Sequence, residues 1–541
     1  MVPELDLPAP IERLRDDLGH RRIEQGIETL ERLRPLLQTL GPRPGCGILA
    51  GLVAQWVDTG YDHPALLEEI VTRFPKNARA ALPLCDYLHL RMVEAVLAMA
   101  NEDLDTAIHC LLAVQSFDKE IPDAELLAIA NFWLGRCYRK MGRYGEALKY
   151  TERGEALAQD CGYAEMAAIM QVTRSWLAFQ KGRLQEAKAL LRQAEAALKP
   201  TSDYLSRGNI QSSYGRIARR QGNYERALEC FQNAILEYRE GGGGQLQLAR
   251  ALLNLAFVER LLALDAQRKL DHAPAARHAA QGGVRERRQH IEEVRRKAAA
   301  HLDEACETYT RYQNHRGVAG VHINRGFLAL DSGDLERASA EAAEAFAHGS
   351  EKSDGIVMAR ARTLQCIVEN TAIEEQVGDC AHHREDAEAF AREAVALAGQ
   401  TENRRLLARA LVWQGLTFTL EPADLDAARR CCQEAVELLQ PEGMERQYTW
   451  EDLVTLKTRV LQARPVEAVL RAWSAGIVEN ATFQQMTEEF ARIVIPKVWE
   501  REGRKISKVA EKLSISPKKV RRILHSAGFT DRGAAGEERN V

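Results

Sequence analysis

The chain has 541 residues, of which 28% are charged and 45% hydrophobic. This composition is typical of folded globular protein and excludes a disordered chain. A net charge of −4 also excludes a uniformly basic surface that wraps nucleic acid. Positive charge is instead concentrated at residues 500–532, which hold ten Lys or Arg and four Asp or Glu.

The N-terminus, Met1-Val-Pro-Glu-Leu-Asp6, lacks the basic region and apolar stretch of a secretory signal. No apolar run approaches the roughly 20 residues that span a bilayer. The 11 cysteines include no C-x-x-C pair, which is typical of reduced thiols inside the cell. We therefore expect a cytoplasmic protein that does not interact with a membrane.

Residues 1–80 are predicted to form an irregular helical cap, because apolar residues recur there at the spacing of a helix face but show no longer repeat. These residues are Ile23, Ile27, Leu30 and Leu33.

Residues 81–464 contain an internal repeat of about 40 residues, as the spacing of Gly142, Gly182 and Gly222 shows. Each glycine is followed five residues later by alanine, and further copies of this sequence motif occur upstream and downstream. The alanines of all copies are Ala107, Ala147, Ala187, Ala227, Ala338 and Ala428. A glycine that ends one helix in the left-handed conformation, followed by a small residue at a helix crossing, predicts a helical hairpin. Stacked hairpins of this kind form an α-solenoid.

The unit from Trp133 to Gly154 resembles the tetratricopeptide repeat (TPR). It carries Trp133-Leu-Gly-x-x-Tyr138 and Gly142-x-Tyr144-x-x-Ala147, and departs from the family at Gly154, where alanine is usual. The spacing of about 40 residues, longer than the usual 34, implies longer helices, as in the TPR regions of bacterial transcription regulators. The resemblance implies an all-α, TPR-like solenoid and says little about function, because such arrays bind many partners.

The repeat is interrupted between Ala227 and Ala338, and the extra residues are placed near 265–297. This stretch is basic and contains Pro and Gly, so we expect a solvated mobile loop, with a partner-binding insert as the alternative. The glycines at 241–244 are predicted to connect two repeats.

Four arginines are candidates for a ligand groove. The TPR resemblance implies that the first helix of each hairpin lines the inner face, and these arginines occupy equivalent places two repeats apart. They are Arg136, Arg139, Arg216 and Arg219. Because guanidinium groups match carboxylate and phosphate oxygens, the predicted ligand is an acidic peptide or a small anion; the alternative is that these are ordinary solvated charges.

After a predicted linker at 465–481, residues 482–530 are predicted to form a small helical domain, followed by a flexible tail at 531–541. Thr482 and Gln485 form the pattern of a capping box at the start of a helix. Two short apolar-patterned helices follow, and Ser516 with Pro517 marks the start of the second. Two short helices joined by a tight turn predict a helix-turn-helix.

The second of these helices carries the cations expected of a DNA-recognition helix. The predicted DNA-binding residues are Lys505, Ser507, Lys508, Ser516, Lys518, Lys519, Arg521, Arg522 and His525. Residues 490–529 resemble the Fis-type helix-turn-helix of bacterial regulators, with Ser514 at the turn position where glycine is usual. The resemblance implies a homodimer formed by the preceding helix, for which the candidate residues are Phe483, Met486, Phe490 and Ile493.

We find no catalytic arrangement and expect no enzyme activity, no cofactor and no metal site. Cys380-Ala-His382-His383 is interpreted as a surface connection because no second cluster stands at a ligand spacing. Two hypotheses remain. The first is a transcription regulator whose TPR array binds a protein, peptide or small ligand and whose C-terminal helices bind double-stranded DNA. The second is a TPR interaction scaffold whose C-terminal helices only cap the array.

Overall fold

The computed structural model describes most of the chain: residues 7–61, 64–120, 123–271, 281–421, 423–439, 448–462 and 482–526. Within these ranges the chain forms 25 helices and no strand, which confirms the all-α prediction. None of the described helices is long and apolar enough to cross a membrane. The chain divides into two compact units, residues 1–457 and 458–541. The predicted linker at 465–481 and tail at 531–541 lie outside the described residues.

Five helices of unequal length precede the repeats: α1 (Pro8–Gly19), α2 (Ile23–Leu37), α3 (Cys46–Asp58), α4 (Ala65–Thr72) and α5 (Lys76–Arg79). Trp56 of α3 is fully buried. Gly26 makes room for this indole, since a Cβ at Gly26 would lie 1.9 Å from the ring. The cap is also tied to the repeats: Asp86 accepts hydrogen bonds from the backbone N–H groups of Gly47 (2.7 Å) and Ile48 (3.2 Å) at the start of α3. A carboxylate at that position satisfies free amides and complements the helix dipole.

Eight helical hairpins follow in the described residues. They are α6 (Leu84–Ala100) with α7 (Leu104–Gln115), α8 (Ala124–Lys140) with α9 (Tyr144–Asp160), α10 (Ala164–Gln180) with α11 (Leu184–Leu198), α12 (Tyr204–Arg220) with α13 (Tyr224–Glu240), α14 (Gln245–Asp271) with α15 (Gln281–Arg311), α16 (His315–Asp331) with α17 (Leu335–Glu351), α18 (Gly355–Glu374) with α19 (Cys380–Gly399), and α20 (Arg404–Phe418) with α21 (Leu425–Leu439). The first four hairpins start 40 residues apart, which confirms the repeat.

The residues that define the repeat have the roles predicted for them. Gly142, Gly182, Gly222 and Gly333 all adopt left-handed φ angles between +74° and +85°, so each can end the first helix of its hairpin. The alanine of every copy is fully buried at 0% exposure: Ala107, Ala147, Ala187, Ala227, Ala338 and Ala428. These small side chains allow the two helices of each hairpin to pack closely. This packing explains why the glycine–alanine sequence pattern recurs.

The expectation of a solvated loop at 265–297 is wrong for the part of that stretch that the structure describes. The fifth hairpin is lengthened instead: α14 has 27 residues and α15 has 31. Leu270 and Ile291 are buried where these extensions meet, at 4% and 2% exposure. A few buried apolar residues at helical spacing therefore outweigh the basic, Pro- and Gly-containing composition on which the loop prediction rested. The apex, residues 272–280, lies outside the described residues.

The array closes back on itself, because loops of early hairpins contact late ones. The carbonyl oxygen of Gly142 accepts a hydrogen bond from the backbone N–H of Glu402 (2.9 Å), and Glu402 Oε2 accepts one from the N–H of Gly145 (2.8 Å). The cap joins this closure through a buried ion pair between Arg21 and Asp203 (2.7 Å). Successive turns of the solenoid thus lie against each other, and its inner face becomes an enclosed groove.

One further helix, α22 (Tyr448–Gln462), follows the hairpins. Three helices then form the C-terminal core: α23 (Phe483–Arg501), α24 (Ile506–Lys512) and α25 (Pro517–Ser526). Both predicted caps are confirmed: Thr482 and Gln485 make the capping box, and Ser516 Oγ accepts a hydrogen bond from the N–H of Lys519 (3.2 Å). The three helices share a core of Ile495, Val509, Ala510, Val520, Ile523 and Leu524.

Ser514 lies in the turn between α24 and α25, where its backbone conformation is one that glycine adopts more easily. Ser514 has φ of +52°, a left-handed conformation that is unfavourable for a residue with a Cβ by about 1–2 kcal/mol. We expect Ser514→Gly to raise the free energy of unfolding of this unit by up to about 1 kcal/mol, measured by hydrogen exchange at the Val520 and Leu524 amides. Ser507→Gly, inside α24, is the control and should lower it by about 0.5–1 kcal/mol. Lower stability for Ser514→Gly would contradict this account.

Candidate functional site

The inner face of the second, third and fourth hairpins, together with the cap and the start of α14, lines a cavity of about 140 Å³. Its lining repeats with the hairpins, since residues at equivalent positions of successive first helices face it: Ile129, Ile169 and Asn209; Phe132 and Val172; Trp133, Thr173 and Ser213; Arg136, Trp176 and Arg216. Arg21, Asp58, Arg139 and Arg250 complete the charged lining. The cavity thus combines aromatic walls with five guanidinium groups and one carboxylate.

Two of these five cations are neutralised within the protein. Arg136 forms an ion pair with Asp58, and the same carboxylate accepts a hydrogen bond from the Trp133 indole N–H (3.0 Å). Burial opposes the charge of Arg136, but Asp58 raises its pKa above the ordinary value. Arg21 is paired with Asp203. These two pairs hold the walls of the cavity, and neither arginine has an uncompensated charge for a ligand.

The other three, Arg139, Arg216 and Arg250, form no ion pair with any residue that the structure describes. The guanidinium of Arg139 lies 4.9 Å from the ring centroid of Trp176, and Arg216 donates a hydrogen bond to the hydroxyl of Ser213 (2.8 Å). Burial and the neighbouring guanidinium of Arg250 lower the pKa of Arg139 to about 9 and that of Arg216 to about 9. Arg139 and Arg216 therefore remain positive at neutral pH, and the cavity holds like charges that repel one another.

The structure brings together three of the four predicted groove arginines, Arg136, Arg139 and Arg216. Arg219 does not line the cavity: it donates a hydrogen bond to Asn254 Oδ1 (3.0 Å) and lies over Phe257. Arg219 therefore faces the next hairpin, and its role in a ligand groove stays a prediction.

Sequence reasoning missed Arg250. Its position on α14 is equivalent to Asn209 on α12, once one extra residue in the 241–244 connection is counted. The phase of the repeat, followed across that connection, would have found it. Asp58 and Arg21 belong to the non-repetitive cap and carry no such signal.

The C-terminal unit presents the predicted DNA-binding residues to solvent. Every one of them is exposed: Lys505, Ser507, Lys508, Ser516, Lys518, Lys519, Arg521, Arg522 and His525. On α25, Val520, Ile523 and Leu524 are buried at 0–5% exposure, so the apolar back of the helix holds its cationic face outward. Within the described residues, Lys518 and Arg522 form no ion pair, whereas Lys512 on α24 is paired with Glu502.

The predicted dimerisation residues lie on α23. Phe490 is 54% exposed, a large apolar side chain that faces solvent. The side chains of Phe483, Met486 and Ile493 lie outside the described residues, so the homodimer stays a prediction.

Cys380-Ala-His382-His383 starts α19, where Asp379 caps the helix. His383 Nδ1 is engaged by Glu369 and His382 is paired with Asp386 (3.5 Å). Both imidazoles thus contact carboxylates, but the three residues form the first turn of a helix and not a connection, so that part of the interpretation is wrong.

Comparison with known proteins identifies one unit of the array. The tetratricopeptide repeat family matches residues 128–161, which cover most of α8 and all of α9. The match is limited to this unit and does not include the C-terminal helices. No curated protein matches the chain. The fold of the chain is an all-α, TPR-like solenoid of helical hairpins.

Solved structures similar to this chain include a Rap protein complexed with competence and sporulation factor, at 11% identity and a TM-score of 0.49, covering 73% of this chain and 99% of that one. The apo quorum sensor NprR from B. thuringiensis is similar at 13% identity and a TM-score of 0.46, covering 72% and 98%. A monomeric mutant of IFIT1 with Gppp-AAAA is similar at 14% identity and 0.44, covering 84% and 95%. Likenesses of this size do not define a ligand for this chain.

Proposed function

We propose that this chain is a transcription regulator that binds an acidic peptide segment in the arginine groove and double-stranded DNA through α25. The observation that carries the proposal is the set of three guanidinium groups, Arg139, Arg216 and Arg250, that share one cavity without a carboxylate partner among the described residues. The proposal assigns no catalytic step to the chain.

The groove is suited to carboxylates because its three unpaired guanidinium groups need negative partners, and an acidic segment supplies them. Burying like charges without partners is unfavourable by several kcal/mol per ion, and an incoming carboxylate removes that cost while forming charge-assisted hydrogen bonds. A volume of about 140 Å³ admits one or two acidic side chains and not a whole folded domain. The Phe132 and Trp176 rings provide the apolar wall against which the stem of such a side chain packs.

The DNA-binding part rests on the division of α25 into a buried and an exposed face. A helix whose apolar back is anchored by Val520 and Leu524 can enter the major groove, which is about 12 Å wide, and bring its cations to phosphates and base edges. Lys505 and Lys508 stand at the start of the preceding helix, where they are placed to contact the phosphate backbone. The Fis-type resemblance supports the same use of these residues, and dimerisation through α23 is part of the proposal.

Two binding measurements on the full chain test the proposal. Fluorescence anisotropy with labelled hexaglutamate at low salt is expected to show saturable binding that inorganic phosphate displaces only weakly, with hexalysine as the charge-reversed control. Gel retardation with a mixed-sequence duplex is expected to show binding that weakens steeply as salt is raised. Hexaglutamate binding without DNA retardation at any salt would support the scaffold hypothesis and overturn the regulator. The absence of hexaglutamate binding would overturn the groove assignment.

A further inference from the structure

A cluster of metal-ligating side chains stands outside the arginine groove, at the sixth hairpin. His315 is the first residue of α16, while His348 and Glu351 lie three residues apart in the last turn of α17. One ligand atom from each of the three lies within 4.8 Å of the others. Their separation in the sequence hides this arrangement, which arises only when the two ends of the hairpin meet.

We propose that His315, His348 and Glu351 form a binding site for a divalent transition-metal ion, Zn²⁺ in first place. Two imidazole nitrogens and one carboxylate oxygen make a donor set typical of Zn²⁺ sites with three protein ligands and a fourth position left open. The proposal is independent of the arginine groove and of DNA binding, and it replaces the expectation from sequence that the chain has no metal site.

His315 is held in place before any ion binds. Its backbone N–H donates to Glu102 Oε2 (2.9 Å), and the amide of the preceding Asn314 donates to Glu102 Oε1 (3.2 Å). Asn314 also caps α16 by accepting a hydrogen bond from the N–H of Gly317 (2.7 Å). A first ligand positioned by such a supporting shell binds with a smaller loss of conformational freedom.

Among the three residues, His348 gives the most direct support for a metal site. Its imidazole forms no hydrogen bond or ion pair with any residue in the described ranges, although it is half-buried. Its ring stacks on that of His322 at 5.6 Å and 21°, and His322 is itself fixed by a contact between Nδ1 and Glu341 Oε2 (2.7 Å). The ring is therefore oriented while both of its nitrogens remain available.

Glu351 supplies the adjustable ligand. Its side chain is 60% exposed, and Oε2 lies 3.3 Å from His315 Nδ1, so a small rotation brings the carboxylate onto a shared ion. Residues three apart on a helix point to the same side, which places Glu351 beside His348. All three side chains border a cavity of about 820 Å³ that leaves room for water at the open coordination position.

The test is zinc titration of the full chain, freed of metal with a chelator, by isothermal titration calorimetry. The variants are His348→Ala and Glu351→Gln. The matched control is His382→Ala, since His382 is also paired with a carboxylate on a helix. We expect the wild type and the control to bind one equivalent of Zn²⁺ that each variant binds at least tenfold more weakly. Circular dichroism checks the fold; should His348→Ala unfold, Glu351→Gln carries the test because its side chain is exposed.

The absorption spectrum of bound Co²⁺ distinguishes binding at this site from binding to the 11 cysteines of the chain. Co²⁺ bound by imidazole and carboxylate is expected to show visible d–d bands that both variants lose, with no thiolate charge-transfer band. Equal zinc affinity in the wild type and both variants, or a Co²⁺ spectrum dominated by thiolate ligands, would overturn the site.

Discussion

The double variant Lys518→Ala plus Arg522→Ala is expected to weaken binding to duplex DNA by about 2–4 kcal/mol, which is about 30- to 1000-fold, because each substitution removes an interaction of a kind that contributes about 1–3 kcal/mol. Both side chains are exposed on α25, and neither has an ion pair in the described part of the chain, so their charge is free to replace condensed counterions on DNA. Gel retardation or anisotropy with a mixed-sequence duplex measures the weakening.

The salt dependence makes this prediction specific. The slope of log affinity against log salt is expected to become shallower by about one for each phosphate that the variant no longer neutralises. Lys512→Ala is the matched control, because Lys512 lies in the same unit but is paired with Glu502; its slope and affinity should stay close to those of the wild type. An unchanged slope in the double variant, or an equally weakened affinity in Lys512→Ala, would show that α25 does not contact DNA.

The double variant Arg139→Gln plus Arg216→Gln is expected to weaken hexaglutamate binding by about 100-fold or more, because each arginine would form charge-assisted hydrogen bonds to a carboxylate that contribute about 1.5–3 kcal/mol. Glutamine keeps the polar group but removes the charge. Arg226→Gln is the control, because Arg226 is an exposed arginine of α13 paired with Glu229. Its affinity for hexaglutamate should match the wild type, and DNA retardation should be unchanged in all these proteins.

The same double variant is expected to be more stable than the wild type when no ligand is present. Removing two like charges from an enclosed cavity relieves their repulsion and their desolvation, and we expect the free energy of unfolding to rise by about 1–2 kcal/mol in urea denaturation. Residues kept for binding often reduce stability in this way. If these arginines only supported the fold, replacing them would lower the free energy of unfolding. A decrease in stability with unchanged peptide affinity would therefore contradict a ligand site.

The architecture of the repeats could be predicted because its determinants are local. The left-handed glycines such as Gly142 and the buried alanines such as Ala147 act within one hairpin, and the same chemistry recurs about every 40 residues. The apolar back of α25 and the Ser516 cap are local in the same sense. Periodicity also placed Arg136 and Arg216 at equivalent positions of stacked hairpins, which face the same side, and the TPR resemblance implied that this side is the inner face.

The partners of these residues could not be predicted in this way. Asp58, which neutralises Arg136, is 78 residues away in the non-repetitive cap, and Arg219 turns to Asn254 on the next hairpin. The lengthening of α14 and α15 was hidden by a composition that favours loops, although apolar residues stand at helical spacing within each helix: Ala263, Ala266 and Leu270 on α14, and Val284, Ile291 and Val294 on α15.

The sequence by itself thus determined the hairpins, their period, the face of each helix that is buried and the cationic face of α25. Only the tertiary structure decided which arginines of the groove remain unpaired and that His315, His348 and Glu351 meet. His315, His348 and Glu351 meet because the start of α16 and the end of α17 come together within one hairpin. For the groove, the reason is that each hairpin adds a small rotation to the solenoid. The sum over many hairpins, which no single repeat encodes, brings Gly142 against Glu402 and Glu102 against His315.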